Sequence, residues 1–402
     1  MAGDSMFILN THPDYQQALD EADRQTFGAA AAAEAEQYAR ARAGYLPTRL
    51  VDLRGLAHLH GVGAIQIKDE STRFGLGSFK ALGGAYAVIR HVLDEAGRQL
   101  GHEVGMADIA SEAVRGVAKH LVVACATDGN HGRSVAQGAQ LMGARAVIFV
   151  HAGVSEARIA AIACLGAEIV RVPGSYDDSV AQATAVSQDR GWAIVSDTSW
   201  PGYERIPSLV MQGYTTLLLE AFREMSLPPT HVFVQAGVGG IAAATFAYMD
   251  LFLGRDRPRF IVVDPSRAPC LYQSARQGKR VRIAEGEPTI MAMLECYEPS
   301  MVAWRILTRT ADAFMTVDEA DAVDAMRTLA APVDDDPSVV AGESGGVGLA
   351  AFLKAARDES IRRSLALGPE SRIFVINTEG ATDPAQYERL VGRSPDQVLA
   401  GA

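Results

Sequence analysis

The stretch Leu121-Val-Val-Ala-Cys-Ala-Thr-Asp-Gly-Asn-His-Gly-Arg-Ser-Val-Ala-Gln-Gly-Ala-Gln-Leu-Met142, followed by Ala146-Val-Ile-Phe-Val150, decides the fold class. An unbroken apolar run of strand length passes through a short glycine-bearing turn into helically spaced residues, and a second apolar run follows. A strand apolar on both faces needs cover on both sides, which is the pattern of βαβ units in a parallel sheet. The alternation extends outward. Upstream lie Ala64–Ile67 and then Phe79–Leu93. Downstream come helix Ser155–Leu165, strand Glu168–Val172, helix Asp177–Gln188, strand Ala193–Ser196 and helix Leu209–Met225. Strand Val232–Ala236, helix Ile241–Leu253 and strands Phe260–Val263 and Arg372–Ile376 complete it, with one more helix expected over Gly28–Gly44. The chain is therefore expected to be α/β, with a mostly parallel sheet and helices on both faces. Ligands in such folds bind at the carboxyl ends of strands, so the residues after each strand carry the functional reading.

Three strand ends are chemically unusual. After the first, Lys68-Asp-Glu-Ser-Thr-Arg-Phe-Gly-Leu-Gly-Ser-Phe-Lys80 makes a glycine loop, with Ser78 suited to cap a helix that Lys80 enters in its first turn. A lysine normally avoids the positive end of a helix, and placing one there favours the neutral, nucleophilic amine. Next, Thr127-Asp-Gly-Asn-His-Gly132 offers backbone N–H groups to an anion, with Asp128 and His131 titratable and Asn130 a donor. Last, Gln235-Ala-Gly-Val-Gly-Gly240 opens a small-residue helix and reads as a phosphate cradle. Gly237-Val-Gly-Gly-Ile-Ala242, with Asp264 ending the next strand, also satisfies a dinucleotide fingerprint, so a nicotinamide reading competes here.

With 402 residues, 48% of them hydrophobic, the chain has room for two or more domains of about 150 residues. A net charge of −11 argues against nucleic acid or an anionic membrane as partner. No apolar run approaches the roughly 18 residues of a membrane span, and Met1–Asn10 lacks a basic, apolar leader, so a cytoplasmic location is expected. Cys125, Cys164, Cys270 and Cys296 form no metal-binding spacing; Cys125 and Cys164 read as core residues, and pairing of Cys270 with Cys296 stays open. Only five of the 37 basic residues are lysines, namely Lys68, Lys80, Lys119, Lys279 and Lys354. Lysine-specific chemistry thus has few candidates.

A helix-start lysine, an Asp/Asn/His turn and a glycine phosphate loop, in that order, resemble the fold-type II enzymes dependent on pyridoxal 5'-phosphate (PLP), the tryptophan synthase β-like family. Lys68-Asp-Glu-Ser, Phe79-Lys80, Leu82-Gly-Gly-Ala-Tyr86, Thr127-Asp-Gly-Asn-His-Gly-Arg133, Ser196-Asp-Thr-Ser-Trp-Pro-Gly-Tyr203 and Thr378-Glu-Gly-Ala-Thr-Asp383 are similar in particular to the diaminopropionate ammonia-lyase family. The resemblance runs from about Gly44 to Tyr387. It implies two open, twisted, mostly parallel sheets with helices on both faces and PLP between two domains. The larger would be residues 1–84 and 204–402, the smaller 85–203 inserted in it, with a hinge near Pro201-Gly202. It implies that Lys80 carries the cofactor, that Asn130 meets its ring hydroxyl, that Gly237, Val238, Gly239 and Gly240 hold its phosphate, and that Thr378 is the neutral partner of its ring nitrogen.

Catalytic roles fall by the same resemblance to Lys80, Asp128 and Asp197, with Ser78, Thr127, Asp128, His131 and Asp197 toward the substrate. The implied reaction is α,β-elimination of ammonia from D- or L-2,3-diaminopropionate, giving pyruvate, in a homodimer that binds no resident metal. Asp128 is the residue that separates this from the serine and threonine dehydratases, whose turn carries a small neutral residue there. One departure is Met293, Glu295 and Tyr297 around Cys296, where smaller residues are expected. They either line the pocket or pack elsewhere. A dehydratase of serine, threonine or a hydroxyaspartate is the alternative within the fold; an oxidoreductase and a non-catalytic binding protein are alternatives outside it.

Overall fold

The computed structural model describes residues 6–127 and 129–400. The chain divides into two compact units. One comprises the chain up to Ala31, Leu46–Phe79 and everything from Leu217 onward; the other comprises Ala32–Tyr45 and Lys80–Thr216.

In chain order the strands are β1 (Phe7–Leu9), β2 (Leu50–Asp52), β3 (Ala64–Asp69), β4 (Val122–Ala126), β5 (Arg145–His151), β6 (Glu168–Val172), β7 (Ala193–Ile194), β8 (His231–Gln235), β9 (Arg259–Pro265), β10 (Ala313–Val317) and β11 (Arg372–Asn377). The first unit holds a seven-stranded sheet in the order β1-β10-β9-β8-β11-β3-β2. Its five inner strands run parallel, and β1 and β2 close the edges antiparallel. Every residue of β8, and all but the first of β9 and β11, is buried, because helices cover both faces. Phe233, Ile261, Val263, Ile373 and Val375 join Phe352 and Leu353 in its core.

The other unit has a four-stranded, all-parallel sheet in the order β6-β5-β4-β7. Ala124, Val147, Phe149, Val172 and Ala183 form its core on one face. On its other side the 21-residue helix Lys80–Leu100 packs against Asn130–Met142 through small residues. A Cβ on Gly138 would stand 2.8 Å from Ala85 Cα, and one on Gly84 would stand 2.8 Å from Ser134 Oγ. That hydroxyl accepts the Ala85 N–H at 2.9 Å.

The expected α/β class with mostly parallel sheets is what the chain adopts, and the expected helix over Gly28–Gly44 is present as Ala29–Arg40. Three strands, β1, β2 and β10, have no counterpart in the sequence reading. Cys164 is exposed rather than core. It lies one residue beyond the helix Glu156–Ala163, whose inward stripe is Ile159 and Ile162.

Candidate active site

The helix opens at Lys80 itself, so Phe79 takes the cap position and Ser78 lies one residue earlier. Ser78 is buried and forms an isolated antiparallel bridge with Glu379. The Phe79 N–H donates to the Thr378 carbonyl at 3.0 Å. The loop before the lysine is thereby tied to the end of β11.

In its own unit, Lys80 is ion-paired through Nζ with Asp197, and both side chains keep about one-fifth of their surface exposed, at 21% and 19%. A cation at a helix N-terminus is disfavoured by the helix dipole, and Asp197 supplies the offsetting charge. Burial works against ionisation of Asp197, yet the Lys80 ammonium, the His131 ring and the Lys80 hydrogen bond outweigh it and hold the carboxyl below the ordinary carboxylate range. His131 is buried, and burial depresses its basicity against the opposing pull of Asp197. Its Nε2 lies 2.8 Å from the Val195 carbonyl, so a neutral ring donates there. Its Nδ1 then has no hydrogen-bond partner among the described residues.

The turn after β4 is held by Thr127, whose hydroxyl oxygen accepts the N–H groups of Gly129 and Gly132 at 3.1 Å each. Asn130, half-buried, begins the helix that follows, behind Gly129 with φ of +155°. Asp128 lies outside the described residues.

In the other unit, the loop after β8 runs through Gly237 and Val238 to Gly239, whose φ of +100° favours glycine, and the helix Gly240–Leu253 opens behind it. A Cβ on Gly237 would stand 2.8 Å from Cys296 Sγ. Cys270 Sγ lies 3.4 Å from the Gly237 carbonyl oxygen, and neither cysteine is in a disulfide. The glycines let the loop pack tightly on these side chains and lead it into a helix N-terminus, where an anion such as a phosphate is favoured. Thr378 follows β11 and is buried. Its hydroxyl oxygen accepts from Gln235 Nε2 at 2.9 Å, and the same amide nitrogen donates to the carbonyls of Gly345 at 2.6 Å and Ile376 at 3.0 Å. Gln235 thus locks Thr378 in place.

Glu295 accepts from the Tyr297 hydroxyl at 2.5 Å and from the Thr289 N–H at 3.2 Å, which braces that segment on itself. Asp264 accepts the Tyr272 N–H at 2.8 Å and caps the helix Cys270–Gln277, a structural task. Lys68 is fully buried and paired with Glu220 at 2.9 Å, and Lys354 pairs with Asp318 and Asp321. Lys119 and Lys279 are exposed.

The sequence profile described as "Pyridoxal-phosphate dependent enzyme" matches residues 41–379. The chain belongs to the pyridoxal-phosphate dependent enzyme family. Within the family it is similar to the diaminopropionate ammonia-lyase of Escherichia coli (strain K12), with 40% identity over 364 residues, 89% of this chain and 90% of that protein. Its fold superposes on the crystal structure of the Escherichia coli enzyme in complex with D-serine, with a TM-score of 0.86, 36% identity and 96% of each chain covered. A second crystal structure of that enzyme, in complex with an aminoacrylate-PLP azomethine reaction intermediate, superposes with a TM-score of 0.84, 36% identity and the same coverage. Membership in this family sets aside the nicotinamide reading of Gly237–Ala242.

The geometry brings Lys80, His131 and Asp197 together directly. Thr127 shapes the turn that carries Asn130 and His131, and Ser78, Thr378 and the glycine loop are organised around β8 and β11. Two residues, one in each unit, escaped the sequence reading. One is Gln235, quoted within a motif but given no task there. The other is Tyr214, which is fully buried against Gly83, one helical turn from Lys80. No local signal marks either.

Proposed function

We propose that this chain is a PLP-dependent ammonia-lyase that eliminates ammonia from 2,3-diaminopropionate, giving pyruvate and a second ammonia. The observation that carries the reading is the pairing of the helix-start amine of Lys80 with the ionised, partly exposed carboxylate of Asp197. The residues suit the cofactor. A bare glycine loop at a helix N-terminus fits a phosphate, and a fixed neutral hydroxyl on Thr378 fits a ring nitrogen that need not carry a proton.

Lys80 would hold the cofactor covalently, Asn130 its ring hydroxyl, Gly237, Val238, Gly239 and Gly240 its phosphate, and Thr378 its ring nitrogen. When bound, the cofactor acidifies the α-C–H of the amino acid and accepts the electron pair that is left. Everything else is the work of side chains. Asp197 and Asp128 attract the second, cationic amine of the substrate. Lys80 takes the α-proton of one enantiomer and Asp128 that of the other. The C3–N bond then breaks, ammonia leaves, and the released enamine hydrolyses with one water to pyruvate and ammonia. Ser78, Thr127 and His131 line the substrate's place, with the neutral His131 ring presenting Nδ1 as an acceptor. We further take the working form to be a cytoplasmic homodimer with no nucleic-acid or membrane partner. The net charge of −11 speaks against a polyanionic partner; separately, no helix among the described residues is long and apolar enough to cross a membrane.

The deciding experiment assays pyruvate and ammonia from D- and L-diaminopropionate beside D- and L-serine and L-threonine. The expected result is two ammonias per pyruvate and a preference for diaminopropionate. Preference for a hydroxy amino acid would move the chain to the dehydratases. Asp128→Asn is expected to impair the D-isomer more than the L-isomer, and equal losses would contradict separate bases.

A further inference from the structure

We propose that Tyr214 is the positioning residue of the Lys80 amine: its phenol oxygen accepts a hydrogen bond from that amine and, together with Asp197, fixes where it stands. The inference rests on the reading of Lys80 as the lysine that binds the cofactor.

The placement follows from two glycines. Gly83 lies three residues after Lys80 and therefore on the same face of the helix Lys80–Leu100. A Cβ on Gly83 would stand 2.4 Å from Tyr214 Cε1, 2.9 Å from Tyr214 Cζ and 2.5 Å from the Val210 carbonyl oxygen. The Tyr214 ring thus fills the space that a side chain at position 83 would take. Gly213 answers from the facing helix, Arg205–Glu224, where a Cβ would stand 2.8 Å from the Leu82 carbonyl oxygen and 2.9 Å from Gly83 Cα. Backbone meets backbone at this crossing. An alanine at either position would separate the helices and withdraw the ring.

Held there, the ring is 1% exposed and lies on the face of the helix that Lys80 opens, one turn along from it. Burial drives the phenol well above its ordinary range, against the pull of Lys80 and with the push of Asp197, so it stays neutral at any working pH. A neutral phenol oxygen accepts an N–H of the ammonium without adding charge. Titratable groups facing Lys80 include Asp197, which follows β7, His131 on the helix Asn130–Met142, and Tyr214 on Arg205–Glu224. Asp197 supplies the charge. Tyr214 supplies direction, since a buried ring on a glycine floor has one available pose.

The test uses Tyr214→Phe, which keeps the ring in its hollow and removes the oxygen alone. Pyridoxal phosphate is added to the cofactor-free full-length chain, and the rate at which the visible absorbance grows is recorded between about pH 6 and pH 10. Only the neutral amine reacts, so this profile reads the amine directly and needs no turnover. Loss of the acceptor favours the neutral amine, so the midpoint of the profile is expected to move down by about half a pH unit or more. The limiting rate is expected to fall several-fold as the amine loses its fixed direction. Thermal unfolding of the variant should match the wild type. Tyr214→Leu, which empties the hollow, should reproduce the shift and melt earlier. A Tyr214→Phe profile that superimposes on the wild type, or a midpoint moved upward, would overturn the inference and leave the function reading intact. A wild-type protein that develops no visible band would instead sink the Lys80 reading and this inference with it.

Discussion

The amine of Lys80 meets the carboxylate of Asp197, 117 positions further along the chain, and neither side chain is sealed from solvent. An ion pair built only for stability has no need of such access. Asp197→Asn keeps the shape and removes the charge, so the fold should survive. Turnover of diaminopropionate is expected to fall by about 100-fold or more, with a raised KM for the doubly aminated substrate. Lys80→Ala should lose the visible cofactor band altogether. Wild-type kinetics in Asp197→Asn would reduce that residue to a cap.

Gln235 predicts a second effect, one of placement. Its amide nitrogen serves Thr378 Oγ1 and the carbonyls of Gly345 and Ile376, and its amide oxygen accepts the Gly348 N–H at 3.2 Å. Gln235→Leu has similar volume and strands these groups in a fully buried site. A loss of about 2–3 kcal/mol in urea unfolding is expected, with weaker retention of the cofactor on dialysis. Thr378→Ala should weaken retention while costing less stability, because it removes one partner and leaves the other carbonyls served.

Much of this was readable from the sequence because burial and composition coincide. β8, β9 and β11 are covered on both faces, so their residues form unbroken apolar runs. β1 and β2 are three-residue edge strands, too short to carry a pattern, and β10 is hemmed in by Asp312 and Asp318. Lys80 was legible because a glycine loop and a helix meet there and lysines are scarce. Ser78 fell one residue short of the cap because its bridge to Glu379 is a long-range pairing. Tyr214 was hidden for the same reason, since the glycine that receives its ring lies on another helix.

The buried charge cluster beside the lysine loop yields a third prediction. Arg73 donates to Glu70 at 2.7 Å and to Glu220 at 2.8 and 2.7 Å, while Lys68 pairs with the same Glu220. Burial opposes the Glu220 charge, but Arg73 and Lys68 overcome it and pull the carboxyl down to about 2. Glu220→Gln would leave Arg73 with Glu70 alone and Lys68 with only the half-exposed Glu224, 3.8 Å away. The expected cost is about 3–5 kcal/mol, read from urea unfolding. An unchanged unfolding midpoint would mean that water reaches the cluster.

Acidification should destabilise the fold in two stages. His131 and His231 are both held below the ordinary histidine range, in each case first by burial. A base with a depressed pKa binds fewer protons folded than unfolded, so its stability contribution is lost as pH falls through the unfolded value of about 6.5. Glu220 and Asp197 are acids held low, and their contribution persists until pH falls from the ordinary carboxylate range toward about 2. Thermal midpoints should therefore drop first on going from about pH 7.5 to 5.5 and again below about pH 4.5. His131→Gln, whose side-chain amide can still donate toward Val195, should shrink the first drop to the share left by His231 and the other depressed histidines, and leave the second in place. A wild-type midpoint that stays level between pH 7.5 and 5.5 would show that these rings take up protons without leaving their buried sites.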